Sequence, residues 1–90
     1  MTTPRIAFLG GGNMGRAIIA ALLRSGGSAS RIAVGEPVAA ARDALARDFG
    51  VLATGDNAAA IADAELIVLA VKPQEMGRVL APLASAFAAT

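Results

Sequence analysis

Ile6-Ala-Phe-Leu-Gly-Gly-Gly-Asn-Met-Gly15 decides the fold of this chain. An apolar run leads straight into glycines at 10, 12 and 15, the G-x-G-x-x-G spacing, and then into a helical pattern. Each glycine has a physical task in a dinucleotide site. Gly10 permits a tight turn off the strand, Gly12 removes the Cβ that would block a pyrophosphate, and Gly15 lets the helix pack close to the strand. The helix start offers unpaired N–H groups and a partial positive charge to a diphosphate. An ordinary glycine-rich turn is the plain alternative. The strand before it, the helix after it and its place at the very start of the chain favour the dinucleotide reading.

Outward from that turn, strand and helix patterns alternate. Ile6 to Leu9 is continuously apolar, as in a strand buried on both faces of a parallel sheet. Over Asn13 to Arg24, Met14, Ala17, Ile18, Ala21 and Leu22 form one helical stripe expected to face the sheet, with Ile19 and Leu23 off it. Gly26-Gly27-Ser28 ends that helix, and Arg31 to Gly35 makes a second strand. Pro37 suits the first turn of a helix running to about Phe49, with Gly50 as its stop. Val51 to Thr54 is the third strand. Asp56 or Asn57 caps a short helix over 58–63. Leu66 to Val71 is the fourth strand, and Pro73 opens a final helix over 74–88 with Met76, Val79, Leu80, Leu83 and Phe87 as its apolar face. The pattern predicts an α/β fold, a Rossmann-type parallel sheet with flanking helices in the order βαβαβαβα. It stops at Thr90 before a second mononucleotide half, so the expectation is the N-terminal part of a longer protein or a shortened form of one.

Composition narrows the function classes. Ninety residues at 56% apolar make one small domain with a real core, although much of that fraction is alanine. The net charge of +1, with both signs interspersed, argues against a nucleic-acid or membrane-surface role. The chain has no Cys and no His, which makes a zinc site an unpromising reading. No apolar run is long enough to cross a bilayer as a helix, and no signal-peptide pattern opens the chain. The expected location is cytoplasmic, with no metal, no nucleic acid and no membrane among its partners.

Three motifs together resemble those of the pyrroline-5-carboxylate reductases. They are Phe8-Leu-Gly-Gly-Gly-Asn-Met-Gly15, Asp56-Asn57 before a short helix, and Leu69-Ala-Val-Lys-Pro73 after the fourth strand. The resemblance covers essentially all 90 residues, though only the cofactor domain of such an enzyme. It implies reduction of the C=N bond of Δ1-pyrroline-5-carboxylate to L-proline with NADP(H) or NAD(H). It also implies cofactor contacts at Leu9, Gly10, Gly11, Gly12, Asn13 and Met14, at Asn57 near the adenosine ribose, and at Ala70, Val71, Lys72 and Pro73. A helical C-terminal domain, absent here, would make the homo-oligomer and most of the substrate pocket. Two rivals remain: a β-hydroxyacid dehydrogenase related to 6-phosphogluconate dehydrogenase, against which Val71-Lys72-Pro73 argues, and a non-catalytic NAD(P)-sensing module.

Several residues carry two readings each. Glu36 follows the second strand, 21 positions beyond Gly15, near where an acid bonds the ribose 2′-OH of NAD and repels the 2′-phosphate of NADP. It could equally be a surface residue pointing away, with Gly35 at the strand end and Arg42 as the nearest downstream cation. Lys72, at the carboxyl end of a parallel strand, either pairs with cofactor phosphate or is a solvated Lys before a proline. Asn57 doubles as a helix cap, and Asn13 and Met14 as helix start and core. With no His, Cys or Tyr, the chain holds few general acids, and no catalytic residue is assigned.

Overall fold

Four short strands, β1 (Ile6–Leu9), β2 (Ile32–Gly35), β3 (Leu52–Thr54) and β4 (Leu66–Leu69), pair in parallel in the order β3-β2-β1-β4. The computed structural model describes residues 4–84. Four helices join the strands: α1 (Asn13–Arg24), α2 (Ala39–Phe49), α3 (Asn57–Ile61) and α4 (Met76–Leu80). This is the Rossmann-type α/β fold that the alternating pattern predicts.

The unbroken apolar character of β1 follows from its central place. Its alternate side chains enter two separate cores. Phe8 joins Ile19, Ile32, Val34, Leu45 and Val51 on the face covered by α1 and α2. Ala7 and Leu9 join Ala60, Ile61 and Leu83 on the other face. Burying a side chain the size of Phe8 or Leu9 stabilises the fold by about 1.5–3 kcal/mol. Flanking strands share this anchoring, through Phe8 opposite Val34 on β2 and Val68 on β4.

Main-chain pairing continues beyond the strand ends. The Gly10 N–H donates to the Gly35 carbonyl (2.8 Å), the Ala70 N–H to Leu9 (2.9 Å), and the Glu36 N–H to Thr54 (2.8 Å). The loops that follow β1, β2 and β4 are therefore tied to the sheet.

Helix α1 sits in a different rotation from the expected one. Its buried residues are Gly15 and Ile19, with Ile18, Leu22 and Leu23 packed beside them. Met14 is 67% exposed, and Ala17 and Ala21 are exposed. The cause is Gly15, whose added Cβ would lie 2.8 Å from the Gly10 carbonyl oxygen. Only the glycine side of the helix can come that close, so the face one turn on, at Ile19, goes inward. Across the top of this core, Arg16 reaches Asp48 of α2 at 2.6 Å, and its guanidinium lies 4.9 Å from the Phe49 ring centroid.

The remaining differences are at boundaries. Helix α2 starts at Ala39 with Val38 before it, so Pro37 precedes the helix rather than opening it. Gly50 ends α2 at φ +72, and its N–H closes on Ala46. The final helix is broken: a 3-10 turn at Pro73–Glu75, α4 over Met76–Leu80, and another 3-10 turn at Ala81–Leu83. Pro82 explains the interruption, since its ring and missing N–H disrupt an α-helical turn. Phe87 and the rest of the expected 74–88 helix beyond 84 lie outside the described residues. No helix among those described is long and apolar enough to cross a membrane.

Candidate functional site

The carboxyl ends of the strands open into a cleft of about 840 Å³. Its centre is the turn between β1 and α1. Gly10 takes φ +99, and a Cβ there would lie 2.6 Å from the Ala70 carbonyl oxygen. This position needs glycine for both conformation and space. Gly12 is the opposite case: a Cβ there meets nothing within 4 Å, because the position faces the open cleft. Helix α1 begins at this point with no side-chain cap, and its first closing bond runs from the Arg16 N–H to the Gly12 carbonyl (2.9 Å). The N–H groups of Asn13, Met14 and Gly15 therefore precede the first closed turn, where a helix presents free donors and positive potential.

On the β2 side, Glu36 is only 8% exposed. One carboxylate oxygen accepts the Gly11 N–H (3.0 Å) and the other the Val38 N–H (2.9 Å). The reading of Glu36 as an outward-pointing surface residue is corrected: the carboxylate joins the glycine turn to the start of α2. Arg42 braces the same segment from behind, its Nη1 donating to the Glu36 and Pro37 carbonyls at 2.9 Å each.

Asn57 is the first residue of α3 and not its cap. Asp56 caps the helix, its Oδ1 accepting the Ala58 N–H at 3.0 Å. The Asn57 side chain instead lies over Gly35, in the space where any Cβ on Gly35 would collide with Asn57 Oδ1. On the β4 side, Ala70, Val71 and Lys72 line the cleft together with Arg78, which pairs with Glu75 at 3.4 Å.

Of the residues expected at a cofactor site, Gly10, Gly11, Gly12, Glu36, Asn57, Ala70, Val71 and Lys72 share this one cleft. Leu9 is fully buried in the core, Gly15 is buried under the turn, and Asn13, Met14 and Pro73 are exposed outside the lining. Gly35, Asp56 and Arg78 belong to the cleft and were not among the expected cofactor contacts. Gly35 carried a signal, a glycine where a strand would otherwise hold a larger residue. Arg78 lies three positions after Glu75 and off the apolar stripe of Val79 and Leu83, where a charged residue reads as an ordinary solvated one.

A parallel sheet in this order, with a glycine turn, an uncapped helix and a cleft at the carboxyl ends, defines the class of Rossmann-type dinucleotide-binding domains. The chain belongs to the family described as NADP oxidoreductase, coenzyme F420-dependent, whose model matches residues 5–89. Over 86 residues it is 44% identical to the pyrroline-5-carboxylate reductase of Pseudomonas aeruginosa, covering 96% of this chain and 32% of the relative. The pyrroline-5-carboxylate reductase of Vibrio alginolyticus is 45% identical over 83 residues, covering 92% of this chain and 30% of that protein. A solved structure of a pyrroline-5-carboxylate reductase from Coxiella burnetii superposes with a TM-score of 0.93 at 35% identity, over 99% of this chain and 33% of that one. The chain thus spans about a third of the length of these relatives.

Proposed function

We propose that this chain is the cofactor-binding domain of an NAD(P)H-dependent pyrroline-5-carboxylate reductase. Gly12 is the observation that carries the cofactor half of this reading. Its missing side chain leaves the cleft open where the free N–H groups of α1 begin, so the turn can receive a diphosphate without moving. Similarity to pyrroline-5-carboxylate reductases carries the substrate half, over 96% of the chain in one case.

When bound, the dinucleotide supplies the reducing hydride for the C=N bond of the pyrroline. The contribution of this chain is binding and orientation. Gly10 to Gly12 and the start of α1 hold the diphosphate, Glu36 and Asn57 face the adenosine ribose, and the Ala70–Lys72 segment borders the nicotinamide half. Asn13, Met14 and Gly15 act through main-chain N–H groups, while Leu9 and Pro73 shape the strand ends. Most of the substrate pocket and the homo-oligomer fall to the further, helical domain that the family resemblance implies, and no residue of this chain is assigned to proton delivery.

The test is a steady-state assay of the complete protein with Δ1-pyrroline-5-carboxylate, following loss of the reduced nicotinamide. Turnover to L-proline is expected, with none from the 90-residue chain alone. A complete protein that binds NAD(P)H tightly and leaves this substrate untouched would overturn the enzyme reading in favour of a sensing module.

A further inference from the structure

We propose that the cleft selects NADH over NADPH, with Glu36 as the residue that decides; the inference rests on the dinucleotide reading above. In this strand order the adenosine ribose lies beyond the end of β2, the position that Glu36 occupies. Each carboxylate oxygen of Glu36 accepts one backbone N–H and keeps a further lone pair, so it can accept from a ribose hydroxyl. A 2′-phosphate would bring a second anion, close to dianionic near neutral pH, against a carboxylate that is nine-tenths buried.

The charges around the cleft lean in the same sense. Its β2–β3 side carries Glu36 and Asp56, and its β4 side carries Lys72 and Arg78, the latter paired with Glu75. The two cations that line the cleft therefore stand across the glycine turn from the adenosine ribose. Arg42 is the cation on the β2 side, and its Nη1 is taken by the Glu36 and Pro37 carbonyls. Arg42 does not line the cleft, so these bonds hold the loop, and a 2′-phosphate would have to reach its remaining Nε and Nη2 donors. Glu36 itself cannot swing away cheaply, because doing so would strand the buried Gly11 N–H.

The complete protein is titrated with NADH and with NADPH at low and high salt, following the cofactor's own fluorescence. NADH is expected to bind at least about tenfold tighter, since like charges a few ångströms apart cost about that much even in a water-like dielectric. Salt should narrow the gap by screening, which a purely structural role for Glu36 would not produce. Glu36→Gln should bring the two affinities towards parity, with a melting curve confirming that the variant folds. Arg42→Gln should weaken both cofactors alike.

Equal or tighter binding of NADPH by the unaltered chain overturns the proposal, whatever the variants do. A loss confined to NADPH in Arg42→Gln also overturns it, by assigning the 2′-phosphate to Arg42. Binding of neither dinucleotide removes the cofactor-domain reading itself, an outcome distinct from binding with the preference reversed.

Discussion

Gly10 and Gly12 stand two residues apart in one turn, yet alanine should affect them in opposite ways. At Gly10 the new Cβ would sit 2.6 Å from the Ala70 carbonyl oxygen and 3.0 Å from Val71 Cγ1, on a backbone at φ +99. Backbone strain of about 1–2 kcal/mol adds to overpacking of about 1–3 kcal/mol. Gly10→Ala should therefore lose about 2–5 kcal/mol of stability. In a domain of this size, each kcal/mol lowers the melting temperature by about 4–8 °C. At Gly12 the methyl meets nothing and φ is already −75, so the fold loses at most about 1 kcal/mol, mainly from a poorer helix start. The methyl instead enters the cleft where the diphosphate would approach the N–H groups of α1. Losing one charge-assisted hydrogen bond costs about 1.5–3 kcal/mol, or about 10- to 150-fold in affinity. Thermal melts and NAD(P)H titrations of the two variants separate these effects. Normal dinucleotide affinity in a folded Gly12→Ala chain would refute the assignment of that open position to the diphosphate. So would a Gly12→Ala melt as low as that of Gly10→Ala, because the position would then be structural.

Three further outcomes follow from the packing. Leu45 is fully buried and backs the glycine turn, its Cδ1 lying 2.6 Å from where a Gly11 Cβ would be; Leu45→Ala should cost about 2–5 kcal/mol in denaturant unfolding. The Arg16 guanidinium bound to Asp48 holds that carboxyl below its usual range, against an opposing effect of burial and with help from Arg47. A lowered native pKa gives stability that is present above the ordinary carboxylate range and is lost as pH falls through the lowered value. Asp48→Asn should therefore flatten the fall in melting temperature between about pH 5 and pH 2, and an unchanged acid limb would count against the pair. Finally, Leu66 and Leu69 on β4 are 52% and 39% exposed, on a strand paired on one side only among the described residues. The 90-residue chain should self-associate with rising concentration in sedimentation experiments, and Leu66→Lys should reduce it; a strict monomer throughout would contradict this.

The parallel α/β sheet was legible from alternating apolar strands and helices. The strand order was not, because the edge strand β4 is as apolar at every position as the central β1. The glycine turn was legible because its spacing answers to sterics that apply at any such turn. The rotation of α1 was misjudged because apolar periodicity weighs Met14 as strongly as Ile19. The close approach at Gly15, a contact with no hydrophobic signal, sets the inward face instead. Glu36 stayed ambiguous because its partners are backbone N–H groups, 25 residues away at Gly11 and two away at Val38. Main-chain donors carry no residue identity, so nothing in the sequence marks them. The choice between Asp56 and Asn57 as helix cap failed to resolve for a related reason. Both types cap well, and the small space over Gly35 that takes the Asn57 side chain exists only once β2 and α3 are assembled.

The main-chain bonds that run past the strand ends have a consequence for how the molecule opens. Gly10, Glu36 and Ala70 donate their N–H groups to carbonyls of the adjoining strands, so the floor of the cleft extends the hydrogen-bonded ladder. Loosening any of these loops means breaking bonds contiguous with the sheet, in whose central strand Ala7, Phe8 and Leu9 have no exposed surface. Amide protons at these three loop positions should therefore exchange with solvent on the slow timescale of the central sheet, unlike those of ordinary surface turns. Site and sheet then form one cooperative unit: the cradle is preformed before any ligand arrives, and it is lost only when the domain itself unfolds.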